Sequence, residues 1–202
     1  MRVKVCGMRD PDNVKALEKT GPDYVGFIFY EGTKRCVDWE NPIQSGRMSP
    51  VGVFVNAEAR FIEKMIGSWK LEYVQLHGDE SPEFCAIVSG MGVKVIKAFA
   101  VDQNFDFSET EPYHSVADYF LFDTKGEKYG GTGIVFDWSI LKNYKGNKPF
   151  FLSGGIHPGM ADAVKAFDHS MLHAIDINSG FEDEPGMKNT RKIKKFLHEI
   201  LN

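Results

Sequence analysis

Phe150-Phe151-Leu152 runs into Ser153-Gly154-Gly155-Ile156, a helix-length segment follows from Pro158 to Phe167, and Ala174-Ile175-Asp176-Ile177 then leads into Asn178-Ser179-Gly180. This is a strand, a glycine turn, an amphipathic stretch, a second strand and a second small-residue turn. Both strands are nearly continuous apolar runs, the pattern of a parallel sheet covered by helices. Working outward, the same unit recurs along the whole chain. Strand-like runs occupy Val3 to Cys6, Tyr24 to Phe29, Val51 to Val55, Tyr73 to Leu76, Val93 to Phe99, Tyr119 to Phe122, Phe150 to Leu152 and Ala174 to Ile177. Helical patterns lie between them at Asp12 to Lys19, Asn41 to Arg47, Glu58 to Ser68, Pro82 to Ser89, Trp138 to Tyr144, Pro158 to Phe167 and Met187 to Leu201, with a further one before Val116. Asp10-Pro11, Ser81-Pro82 and His157-Pro158 each offer helix-start chemistry, with proline at the first helical position.

Such βα units form either an open doubly wound sheet or a closed barrel. Closure removes both exposed sheet edges, and a length of about 200 residues is the lower end of the barrel range. The dinucleotide fingerprint that would favour the open sheet is missing, because Cys6-Gly7-Met8-Arg9 follows the first strand instead. The sequence therefore predicts an α/β fold, a (β/α)8 TIM barrel, as a single domain over residues 1–202.

Hydrophobic residues make up 43% and charged residues 26%, as in an ordinary packed globule. The formal net charge is −4, and the basic stretch Arg191 to Lys195 reads as a solvated helix face, so no nucleic-acid partner is expected. No apolar stretch of membrane-spanning length occurs, and the N-terminus enters a strand without a signal-like segment, which leads to an expected cytoplasmic location. Cys6, Cys36 and Cys85 are widely spaced and odd in number, as reduced thiols are. The histidines show no ligand spacing, so no metal is expected.

In a barrel the chemistry collects where the strands end at their C-termini. Here those positions are polar: Cys6, Asn56, Gln75 and His77, Lys97, Asp123, Gly154-Gly155, and Asp176 with Ser179-Gly180, while the second strand leads to Thr33-Lys34-Arg35. Glycines after the last two strands let backbone N–H groups close on an anion, so Gly154, Gly155, Ser179 and Gly180 are candidate phosphate contacts. Gly130-Gly131-Thr132-Gly133 is a candidate covering loop, and it lacks the Gly-Lys-Ser/Thr ending of a nucleotide P-loop. The same glycines also suit plain turns. Cys6 taken alone suits core packing, whereas a thiol and the Asp123 carboxylate at one barrel mouth suit a base and an acid. His77 and Lys97 suit either a substrate contact or a structural rim residue.

The ordered set Lys4-Val5-Cys6-Gly7, Gly26-Phe27-Ile28-Phe29 with Lys34-Arg35, Val51 to Asn56, Val74 to Gly78, Phe122-Asp123, Gly131-Thr132-Gly133 with Phe136-Asp137-Trp138, Ser153-Gly154-Gly155, and Ser179 to Glu182 with Pro185-Gly186 resembles the phosphoribosylanthranilate isomerase family of tryptophan biosynthesis. The likeness covers essentially the whole chain. It implies a cofactor-free barrel that performs an Amadori rearrangement of a phosphosugar, N-(5-phosphoribosyl)anthranilate, to the 1-deoxyribulose product. On that resemblance Cys6 is the general base, Asp123 the general acid, Arg35 the contact to the anthranilate carboxylate and His77 a pocket residue. Gly131, Thr132 and Gly133 then form a lid, and Gly154, Gly155, Ser179 and Gly180 hold phosphate. The chain departs from the family at Cys36, where an aromatic is common, at Ser153, where alanine is frequent, and at Asn178, in place of serine. Indole-glycerol-phosphate synthase would need a lysine where Val55-Asn56 stands, and a dual-substrate isomerase would carry aspartate in place of Cys6. A barrel that binds a phosphorylated ligand without turnover is the non-enzymatic alternative. Monomer and homodimer are both left open.

Overall fold

A computed structural model describes residues 1–124 and 137–202. Its centre is a closed barrel of eight parallel strands: β1 (Arg2–Val5), β2 (Tyr24–Ile28), β3 (Ser49–Phe54), β4 (Tyr73–Leu76), β5 (Lys94–Val101), β6 (Tyr119–Thr124), β7 (Phe150–Leu152) and β8 (Leu172–Ile177). Each strand pairs with its sequence neighbours, and β8 returns to β1 with Lys4 opposite Asp176. All the expected strand runs fall on these strands.

Helices α1 (Pro11–Glu18), α2 (Ala59–Trp69), α3 (Pro82–Ser89), α4 (Ala161–Ala166) and α5 (Thr190–Leu201) cover the outside. Asp10 and Ser81 cap α1 and α3 as their sequences suggest, accepting from Asn13 N at 2.7 Å and Phe84 N at 3.3 Å. The helical layer is thinner than the sequence pattern implies. The segment from Asn41 to Arg47 is irregular. Gly46 there has φ +64° and lies against the Glu18 carboxylate, which accepts Arg47 N–H at 3.1 Å, so the chain is tied to α1 instead of coiling. Phe107–Tyr113 and Trp138–Asn143 form 3-10 turns, as do Pro158–Met160 just before α4. Met187-Lys188 pair with Glu182–Glu184 as a small antiparallel hairpin, β9 (Glu182–Glu184) and β10 (Met187–Lys188), so the last helix starts at Thr190.

Alternate residues of each strand point into the barrel, and the lower interior is aromatic. Tyr24, Tyr73, Tyr119, Phe151 and His173 meet there, with ring centroids 5.3 Å apart for Tyr24–Tyr73 and 4.5 Å for Tyr119–His173. The Tyr24 hydroxyl lies 2.8 Å from His173 Nε2. Val51, Ile96, Leu121 and Ala174 complete this plug. The opposite parity, including Val3, Val5, Ile175 and Ile177, packs outward in the main core under the helices. With the floor closed, the polar mouth is left as the place for a ligand.

Candidate active site

The parity that puts Tyr24 and Ala174 into the floor puts a polar layer above them. On β1 the inward residues are Lys4 and then Cys6, and on β8 Asp176 follows Ala174. Lys4 is fully buried and its Nζ lies 2.9 Å from Asp176 Oδ2. Asp176 Oδ1 is also buried and accepts no hydrogen bond among the described residues. Cys6 is 4% exposed, with its N–H donating to the Ile177 carbonyl at 2.9 Å. Its sulfur rests on Gly26 of β2, where a Cβ would come within 2.8 Å of Sγ. Burial pushes the Cys6 thiol above its ordinary pKa, and the nearby Lys4 and Lys188 cations oppose that rise. A cleft opens above this layer, lined among others by Cys6, Arg35, His77, Asp123, Gly154 and Ser179.

His77 and Asp123 stand on the same cleft. Gln75 Nε2 lies 2.6 Å from His77 Nδ1, which leaves the Nε2 side of the ring toward Asp123 Oδ2 at 3.5 Å. Asp123 Oδ1 accepts the Thr124 N–H at 2.9 Å, which fixes the carboxylate plane. The turn carrying His77 is built from below by a buried pair. Glu80 takes N–H groups from Asn56 at 2.8 Å and Gly78 at 2.9 Å, while Lys97 binds Glu80 at 3.0 Å and the Gly78 carbonyl at 2.6 Å. Lys97 therefore supports the turn and does not line the cleft.

Another wall of the cleft is glycine backbone. Gly154 and Gly155 have φ +94° and +66°, conformations that a side chain would strain. A Cβ at Gly154 would also sit 3.1 Å from Asp123 Oδ1, so the glycine lets this turn lie directly against the Asp123 carboxylate. Both glycines and Ser179 line the cleft. Gly180 does not: it packs on the Ile156 carbonyl and His157, allowing the turns after β7 and β8 to touch. Gly131, Thr132 and Gly133 lie outside the described residues.

Arg35 lines the cleft as expected, yet it is not free. Glu182 receives its Nε at 2.9 Å and Nη2 at 2.7 Å. Glu182 also binds Lys188 Nζ at 2.6 Å and Gly186 N at 3.0 Å. Burial pushes the Glu182 carboxyl up, but the Arg35 and Lys188 partners outweigh it and hold the group below the usual carboxylate range. Sequence reasoning did not assign roles to Lys4, Glu182 and Lys188. Lys4 was findable by its two-residue spacing from Cys6, whereas Lys188 sat in a segment that reads as helix. Among the described residues no set of three His, Cys, Asp or Glu side chains is placed to hold a metal, and no helix is long and apolar enough to cross a membrane.

Comparison with known proteins fits this arrangement. Residues 3–199 match the family model described as N-(5'phosphoribosyl)anthranilate (PRA) isomerase. The N-(5'-phosphoribosyl)anthranilate isomerase of Parabacteroides distasonis is 47% identical, over 100% of this chain and 94% of its own length. The crystal structure of phosphoribosyl anthranilate isomerase from Thermotoga maritima is similar with a TM-score of 0.85 and 33% identity, covering 100% of this chain and 98% of that one. A structure of such an isomerase in complex with reduced 1-(o-carboxyphenylamino)-1-deoxyribulose 5-phosphate is similar with a TM-score of 0.83 and 31% identity, again over 100% and 98%. The chain belongs to the N-(5'-phosphoribosyl)anthranilate isomerase family.

Proposed function

We propose that this cleft carries out the isomerisation of N-(5'-phosphoribosyl)anthranilate to 1-(o-carboxyphenylamino)-1-deoxyribulose 5-phosphate, a step of tryptophan biosynthesis. The observation that carries the reading is the placement of the Cys6 thiol and the Asp123 carboxyl on separate walls of one cleft, beside a positive-φ glycine turn. Asp123 gives a proton to the ribose ring oxygen as the C1′–O bond breaks, and the anilino nitrogen supplies the electrons that form the C1′=N iminium. That iminium acidifies the C2′ hydrogen. The Cys6 thiolate removes it, the C–H electrons form C1′=C2′, and the C1′=N electrons return to nitrogen. The resulting enol then becomes the ketone by losing its hydroxyl proton and gaining one at C1′. Each positioned proton transfer contributes about 10²- to 10⁴-fold.

The charges around the base and acid suit these roles. Lys4 and Lys188 favour the thiolate that burial disfavours. His77 and Gln75 line the cleft beside Asp123. Arg35 faces the anthranilate carboxylate, for which a planar guanidinium supplies two parallel hydrogen bonds. Gly154, Gly155 and Ser179 take the phosphate through backbone N–H groups, with Gly180 holding the two turns together. The test is the decay of anthranilate fluorescence with freshly generated substrate, with the deoxyribulose product identified. Enzyme-dependent decay supports the reading; a folded protein that binds phosphosugar without turnover overturns it.

A further inference from the structure

We propose that Glu182 is a positioning residue. It grips one edge of the Arg35 guanidinium so that the other edge is presented to the cleft as the reader of the substrate carboxylate. This rests on the reading of Arg35 given above. A guanidinium has two edges that pair with a carboxylate, Nε with Nη2 and Nη1 with Nη2. Glu182 occupies the first with three contacts, at 2.9, 3.1 and 2.7 Å. The second edge belongs to a side chain that lines the cleft.

Glu182 is itself held from other sides, so it is a rigid handle. Lys188 Nζ binds it at 2.6 Å and the Gly186 N–H at 3.0 Å. Lys188 is fully buried at its side chain, and it also donates to Asn178 Oδ1 at 2.9 Å and to the Gly7 carbonyl at 3.4 Å. The β9–β10 hairpin thus ties together the turn after Cys6, the turn after β8 and the Arg35 side chain. Two cations face one carboxylate in this cluster: Lys188 also has the Cys6 thiolate near it, and the Nη1–Nη2 edge of Arg35 is left for a ligand carboxylate.

The test compares inhibition by the reduced deoxyribulose product analogue with inhibition by the same compound lacking its ring carboxylate. The proteins are wild type, Glu182→Gln, and the double variant Glu182→Gln/Lys188→Met, which removes the buried cation that the first change leaves without its partner. Wild type is expected to prefer the carboxylated compound by about a hundredfold or more. Both variants are expected to lose about tenfold of that preference, read as the ratio of the two inhibition constants within each protein, with Glu182→Gln binding the decarboxylated compound as wild type does. Retention of the full preference, or equal weakening for both compounds, overturns the proposal and makes Glu182 a tie for the hairpin alone. Absence of any preference in wild type overturns the reading of Arg35, and the proposal with it. If Glu182→Gln does not fold, the same comparison on the double variant decides.

Discussion

The two ends of the barrel are built from the same strands with the same inward parity, apart from His173 at the register shift between β7 and β8, and they end in opposite states. At the floor, Tyr24, Tyr119, Phe151 and His173 satisfy one another: the Tyr24 and Tyr119 rings meet Phe151 edge to face, and the Tyr24 hydroxyl and His173 share a 2.8 Å contact. At the mouth, Asp176 Oδ1 and Gln75 Oε1 are buried without a hydrogen-bond partner among the described residues. Leaving such an atom unpaired costs about 1–3 kcal/mol. The floor closes the barrel; the mouth keeps its hydrogen-bonding capacity for something that arrives from outside.

If that division is real, changes at the mouth move chemistry and changes at the floor move stability. Cys6→Ala and Asp123→Asn each are expected to lower kcat by about 10²-fold or more with an unchanged melting temperature. Near-normal turnover in either variant removes that residue from its role. A smaller effect concerns the pH profile of kcat/KM. Because the thiolate is the reactive form and burial raises the thiol pKa, the rate rises with pH and its plateau lies above the ordinary thiol range. Lys4→Met removes the cation that most strongly opposes that rise. The rising limb therefore moves to still higher pH; a limb that stays in place would show that Lys4 does not act on Cys6.

The smallest effect is expected at the floor. Tyr24→Phe deletes the contact to His173 and should cost about 0.5–1.5 kcal/mol of stability, read by denaturant unfolding, with kcat unchanged. A change in kcat from this variant would mean that the two ends of the barrel are coupled.

Much of this was legible in the chain. Phe150-Phe151-Leu152 and Ala174 to Ile177 read as buried parallel strands because both faces of such strands are covered, and the glycine turns after them mark where backbone must bend into positive φ. Cys6 and Asp123 followed from the rule that barrel strands end at the catalytic mouth. Asn41 to Arg47 misled because its side-chain pattern suits a helix, while the Glu18 carboxylate, distant in sequence, captures its backbone. Met187-Lys188 misled for a similar reason: their hairpin pairing with Glu182–Glu184 outweighs the helical pattern of the residues that follow.

The sequence by itself determined the repeating βα unit, the closed barrel and the residues at the strand ends, because periodicity and turn chemistry are local properties of the chain. Only the tertiary structure decided the electrostatic partners. Lys4 meets Asp176, Lys97 meets Glu80, and Glu182 joins Arg35 to Lys188. Pairs such as Lys4–Asp176 and Arg35–Glu182 link residues far apart in the chain, and in all of them the identity of a charged residue says that it needs a counter-charge when buried without saying which one. Barrel closure, by setting β8 against β1 and folding the last hairpin over the mouth, makes that choice.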